Sequence, residues 1–121
     1  MFAAHHKLDN LVAITDCNKM QIDGTTKEIL DIAPLADKWR AFNWEVFEID
    51  GHNWDEINDA LQKAIAVTGR PAMIIANTLK GKGNAAVEDQ VDSHHVGVPD
   101  QAAYDKLISG LGYACPLPYA N

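Results

Sequence analysis

Asp16-Cys17-Asn18-Lys19-Met20-Gln21-Ile22-Asp23-Gly24 is the stretch of this 121-residue chain whose residue types and spacing best suit chemistry. Asn18 offers a side-chain carbonyl oxygen. The backbone carbonyl of Met20, two residues on, can turn the same way. Hard oxygen donors of this kind suit Mg2+, which fills the rest of its octahedron with phosphate oxygens and water. Gly24 lets such a loop turn back. By residue type alone, an Asn after a strand is more often an ordinary turn residue. A second polar stretch, Thr78 to Val98, carries Lys80-Gly81-Lys82-Gly83 and the adjacent pair His94-His95. A loop this long in a compact domain is functional or disordered. Its lysines read first as solvated charges.

These two loops need a scaffold. Leu11 to Asp16, Trp44 to Ile49 and Pro71 to Ala76 read as strands, the first a short apolar run ending in an acid, the second alternating and the third apolar. Met1 to Leu8 reads as the end of a helix. Leu35, Trp39 and Phe42 recur at helical spacing, which predicts a helix over about 34–42 with Pro34 in its first turn. Asp50-Gly51-His52 is a turn. Asn53 then caps the clearest helix, with Glu56 three residues on reaching back as in a capping box. Trp54, Ile57, Leu61 and Ala64/Ile65 form its apolar face, and Gly69 ends it. Tyr104, Leu107, Ile108 and Leu111 give a last helix over 99–111. Strands alternating with helices predict an α/β fold, a parallel sheet with flanking helices. In such sheets ligands bind outside the carboxyl ends of the strands, where both polar loops begin. Residues 1–112 are expected to form the domain and 113–121 an extended arm.

The formal net charge of -7 argues against a nucleic-acid partner, which needs clustered Lys and Arg. No apolar run approaches the roughly 20 residues of a membrane span. The two cysteines, Cys17 and Cys115, form no C-x-x-C pair and fit a reducing cytoplasm. Trp39, Trp44 and Trp54 read as core or interface residues. No G-x-G-x-x-G follows a strand, which ranks a nucleotide-binding Rossmann module low.

The ordered set of motifs resembles the transketolase family over roughly residues 1 to 112. Lys7-Leu8-Asp9-Asn10-Leu11 precedes Asp16-x-Asn18-x-x-x-Ile22-Asp23-Gly24. There follow Leu35-Ala36-x-Lys38-Trp39-x-Ala41-Phe42, Trp44-Glu45-Val46, Ile49-Asp50-Gly51-His52, Lys80-Gly81-Lys82-Gly83 and His94. The resemblance implies a partial thiamine-diphosphate-binding fold and cofactors thiamine diphosphate and Mg2+. It gives Asn18 and the Met20 carbonyl to the metal and packs Ile22 near the thiamine ring. It sets Lys80 near the diphosphate, and His94 near the diphosphate and donor sugar as the catalytic histidine. Ser93 stands where the family has Trp, and Gly97 falls behind His95-Val96, which leaves open whether His94 or His95 faces the site; the register favours His94.

The implied activity is transfer of a two-carbon ketol unit between sugar phosphates, the reaction of the pentose phosphate pathway. The near alternatives are another thiamine-diphosphate enzyme component, of deoxyxylulose-phosphate synthase or 2-oxo-acid dehydrogenase type, and a non-catalytic fragment that binds a partner chain. The family's Gly-Asp-Gly segment, which carries the other protein ligand of the metal, is expected upstream of this sequence. The acid that activates the aminopyrimidine belongs to another domain. The isolated chain is therefore expected to be inactive and to need a complementary transketolase domain or chain. Uncovered strand edges and apolar faces predict a homo-oligomer.

Overall fold

The computed structural model describes residues 1–94, 97, 98 and 100–112. Three six-residue strands, β1 (Val12–Cys17), β4 (Glu45–Asp50) and β5 (Ala72–Asn77), form one parallel sheet in the order β1-β5-β4. A separate two-stranded antiparallel hairpin, β2 (Met20–Gln21) and β3 (Gly24–Thr25), follows β1. The helices are α1 (Phe2–His5), α2 (Thr26–Ile29), α3 (Leu35–Ala41), α4 (Trp54–Ile65) and α5 (Gln101–Gly110), with a 3-10 turn at Val91–Ser93.

The chain passes from β1 through α3 to the far strand β4, then returns through α4 to β5 in the middle. Crossovers of one hand that run in opposite directions must cover opposite faces of a sheet. The packing shows this. Met73 and Ile75 of β5 join Ala4, Ala36 and Trp44 on one face, with Leu35 and Trp39 of α3 against them. Ala72 and Ile74 join Ala60 and Ala64 of α4 on the other face, with Phe47, Ile49 and Leu61 packed against them. Burial on both faces explains why β5 reads as an unbroken apolar run, Ala72 to Ile75 being at most 3% exposed. The Trp39 and Trp44 rings meet edge-on with centroids 4.9 Å apart.

Each large strand starts and ends one residue later than the apolar pattern predicts. Pairing register sets the boundary: Val12 and Glu45 both lie opposite Ala72, and Cys17 and Asp50 both lie opposite Asn77. Pro71 has no N–H, but its carbonyl accepts from Glu45 N at 2.9 Å.

Three local expectations are corrected. On α4, Trp54 is 82% and Ile65 70% exposed, while Ala64, expected on the apolar face, is buried together with Ala60, which was not expected there. Small side chains there let the helix lie close to the sheet. Asn53 does cap α4, its Oδ1 accepting from Asp55 N at 3.1 Å, but Glu56 reaches back to Asp50 N at 2.8 Å rather than to Asn53 N. The complete capping box lies at Thr25 and Glu28 of α2. Finally, α4 stops at Ile65, and Gly69, at φ 74°, serves the following turn. The predicted arm 113–121 lies outside the described residues.

Candidate functional site

The carboxyl ends of the three parallel strands are laced together. Thr78 donates its hydroxyl to Asp16 Oδ1, and its N–H reaches Cys17 O at 3.4 Å. Asn77 Nδ2 donates to Ile49 O at 3.3 Å, and Gly51 N donates to Asn77 O at 2.8 Å. Gly51 has no side-chain alternative, since a Cβ would stand 2.5 Å from Thr78 Cγ2 and 3.0 Å from Ala76 Cβ. The loops after β1 and β5 therefore leave from a fixed edge, side by side.

After β1, Asn18 Oδ1 accepts from Met20 N at 2.9 Å, a side-chain turn that starts the hairpin. Lys19, at φ 65°, then reverses the backbone, and its carbonyl accepts from Thr26 N at 2.8 Å. Ile22 and Asp23 link β2 to β3. Ile22 sits there at φ 43° and is 65% exposed. A β-branched residue at positive φ is a strained choice, of the kind that clusters at ligand sites. At the hairpin's base, the N–H and hydroxyl of Thr25 both reach Glu28 Oε2, at 3.3 and 2.8 Å. The Thr25 hydroxyl, then its N–H, holds the Glu28 carboxyl below its ordinary value.

After β5, the turn carrying Lys80 folds on itself. Lys82 N donates to Leu79 O at 3.2 Å and Asp89 N to Lys80 O at 2.9 Å. Gly83 N donates to Glu88 Oε2 at 2.8 Å, and Lys82 Nζ lies 3.5 Å from Glu88 Oε1. These contacts, the Gly83 N–H first and then the Lys82 charge, hold the Glu88 carboxyl below its ordinary value. Asn84 Nδ2 donates to Leu107 O at 2.9 Å, fastening the segment to α5.

Asn18, Met20, Ile22, Lys80 and His94, the five residues singled out from the sequence, line one void of about 90 Å3 together with Val91. That is roughly three water molecules' share of liquid volume, a space for a small polar group rather than a whole cofactor. It adjoins an open recess of about 450 Å3 lined by Ile22, Asp23, Val91, Asp92 and His94. His95 lies outside the described residues. Val91 is missed by pattern reading, and His52 reads from the sequence as a turn or packing residue at the edge where ligands bind. Val91 sits in a polar stretch with no periodicity, whereas His52 stands at a strand's carboxyl end, where a site residue is worth suspecting.

The donor set fits a hard cation only in part. Asn18 Oδ1 keeps a lone pair beyond the one taken by Met20 N–H, and a backbone carbonyl is the right kind of second ligand. Among the described residues, no group of three or more His, Cys, Asp or Glu is placed to hold a metal. A cation here would need phosphate oxygens, water and a further ligand to fill its shell.

Sequence and structure comparisons identify the family and the fold. The family described as "Transketolase, thiamine diphosphate binding domain" matches residues 1–116. The 6-deoxy-6-sulfo-D-fructose transketolase subunit SqwG of Clostridium sp. (strain MSTE9) is 52% identical over 101 residues, covering 84% of this chain and 37% of that protein. An apulose-4-phosphate transketolase subunit of Phocaeicola vulgatus is 37% identical over 108 residues, covering 89% of this chain and 38% of that protein. Among solved structures, transketolase from Campylobacter jejuni superimposes with a TM-score of 0.78 at 33% identity, over 93% of this chain and 17% of that one. Fold and family match together define a thiamine-diphosphate-binding α/β domain. The chain belongs to the transketolase family, and it spans less than two fifths of the length of these two relatives.

Proposed function

We propose that this chain supplies the diphosphate-binding side of a transketolase active site that transfers a two-carbon ketol unit between sugar phosphates. The observation that carries the reading is the convergence on one void of residues from two segments some sixty positions apart, Asn18 to Ile22 and Lys80 to His94. Asn18 Oδ1 and the Met20 carbonyl hold Mg2+. Lys80 places a point positive charge beside the diphosphate. Ile22, fixed at the hairpin tip, packs against the thiamine ring. His94 borders both the void and the open recess, a position from which an imidazole can hold or move a proton on the donor sugar. The cofactor, when bound, supplies the carbanion chemistry, and the protein orients and polarises it.

A complementary transketolase domain or chain provides the acid that faces the aminopyrimidine, and the family's Gly-Asp-Gly segment the remaining metal ligand. Support for a partner comes from the relatives named as subunits and from the exposed Ile14, at 61%, on the outer strand β1. Support for sugar phosphates comes from a transketolase of Pichia stipitis solved in complex with sedoheptulose 7-phosphate, 26% identical with a TM-score of 0.76. We place the reaction in the cytoplasm and the assembly as a homo-oligomer of such units.

Calorimetric titration of the full chain with thiamine diphosphate and Mg2+, with and without a complementary chain, tests this. Cofactor-dependent ketol transfer is expected only in the mixture. Absence of binding at millimolar cofactor in both samples would reject the cofactor-site reading and leave a module that binds only a partner.

A further inference from the structure

His52 does not line the void with the five site residues, yet it holds the segment that carries one of them. Leu79 N donates to His52 Nε2 at 2.8 Å. A nitrogen that accepts has no proton, so the imidazole is neutral with its hydrogen on Nδ1. We propose that His52 is a positioning residue: its neutral ring latches the Lys80-bearing turn to the end of β4, and its protonation releases that latch. The consequence for cofactor rests on reading the void as a diphosphate site.

The geometry around the ring makes the latch stiff on one side. His52 N donates to Asp50 Oδ1 at 2.9 Å, and Gly51 N donates to Asn77 O at 2.8 Å. Gly51 is pressed so closely on Thr78 that no side chain fits between them. The imidazole therefore stands on a turn already fixed to β5, and it grips Leu79, one residue past Thr78 and one before Lys80. The exit of the same turn is held separately by Glu88 on Gly83 N. His52 thus secures the entrance and Glu88 the exit.

Protonated imidazole has two N–H donors and no acceptor. Nε2–H would then face the Leu79 N–H, donor against donor, and the entrance must open. Charged groups surround this event on three elements. Asp50 accepts from the backbone N–H of His52 itself, and Asp55 and Glu56 are in the first turn of α4. Glu88 faces it from the loop, close enough for the His52 charge to act on its carboxyl, with Lys82 paired to Glu88 and Lys80 beyond.

The test uses the full chain as wild type, His52→Gln, whose amide oxygen keeps an acceptor that does not titrate, and His52→Leu, which has none. Leu79 amide exchange is measured at pH 8 and pH 5.5 and corrected for intrinsic rate. Mg2+-pyrophosphate affinity is measured alongside, each form compared with His52→Gln at the same pH. Protection of Leu79 is expected in wild type wherever the 15N spectra show a neutral ring and is lost where they show a doubly protonated one, while it is kept in His52→Gln at both pH values and absent in His52→Leu at both. Pyrophosphate affinity should fall about two- to tenfold wherever protection is lost, the range for one hydrogen bond. Long-range 15N spectra should show the His52 proton on Nδ1 at pH 8. Equal Leu79 protection in wild type and His52→Leu, or a proton on Nε2 at pH 8, would overturn the latch. If no form binds pyrophosphate while Leu79 exchange still follows His52, the latch stands and the diphosphate reading of the void fails.

Discussion

Ile74 in β5 and Ile22 at the tip of the hairpin are the same residue type in opposite roles. Ile74 is 2% exposed and packs against Ala60 and Ala64 of α4. Ile22 is 65% exposed and held at φ 43°. The first position is dictated by burial, and any failure there is a failure of folding. The second gains little from burial and carries backbone strain, so packing of this chain gives no reason for an isoleucine at that place. A ligand would give one. The two isoleucines separate the part of the molecule that makes the sheet from the part that the sheet presents.

The contrast can be broken most directly at its buried end. Ile74→Ala should destabilise the chain by about 2–5 kcal/mol, the usual range for truncating a large core aliphatic. Urea denaturation reads this, and a loss under about 1 kcal/mol would mean that β5 is not the centre of the core.

Asn18→Ala tests the presented side. It removes the oxygen assigned to the cation and the acceptor for Met20 N. Mg2+-dependent thiamine diphosphate affinity should drop at least about tenfold, an amount equal to 1.4 kcal/mol. Denaturation should register only about 1 kcal/mol, the net value of one hydrogen bond. An affinity unchanged by the substitution would remove Asn18 from the metal.

Ile22→Gly sharpens the comparison because its two effects have opposite signs. Relief of the left-handed conformation favours the folded state by about 1–2 kcal/mol, while glycine loses about 0.5–1 kcal/mol through unfolded-chain freedom. A net gain near 1 kcal/mol in denaturation, together with weaker cofactor binding, is expected. A loss of stability would show that Ile22 is a packing residue after all.

The smallest effect is electrostatic. The Glu88 carboxyl is held below its ordinary value in the folded chain, chiefly by Gly83 N–H. Its contribution is therefore present at neutral pH and is lost as pH falls below the ordinary glutamate range. Gly83 amide protection should decline over that acid range in wild type and stay flat in Glu88→Gln.

Much of the scaffold was legible because it follows local rules. Apolar runs marked β1 and β5 and alternation marked β4, each to within one residue, and Leu35, Trp39 and Phe42 marked α3. The offset of one residue came from inter-strand pairing, which no single strand encodes. The hairpin was not legible, since Ile22-Asp23 carries none of the glycine or asparagine signals of a two-residue turn. Four-residue α2 is too short to show a period. Trp54 misled because the pattern of large apolar residues on α4 was followed, while close approach to the sheet was set by Ala60 and Ala64. The motif residues pointed to one place through family resemblance. The His52–Leu79 contact spans 27 positions and exists only once β4 and β5 are paired.

The strand order β1-β5-β4 also constrains when this chain can acquire its shape. β1 and β4 never touch in the sheet, so among the described residues each pairs only with β5, once residues 72–77 have been synthesised. Closing β4 onto β5 joins Glu45 to Ala72, and closing β1 onto β5 joins Val12 to the same residue across more than twice the length of chain. The longer closure costs about 0.7 kcal/mol more in chain entropy. A nascent chain on the ribosome should therefore remain without its parallel sheet until β5 emerges, then add β4 first and β1 last, bringing the Asn18 loop to the site at the final step.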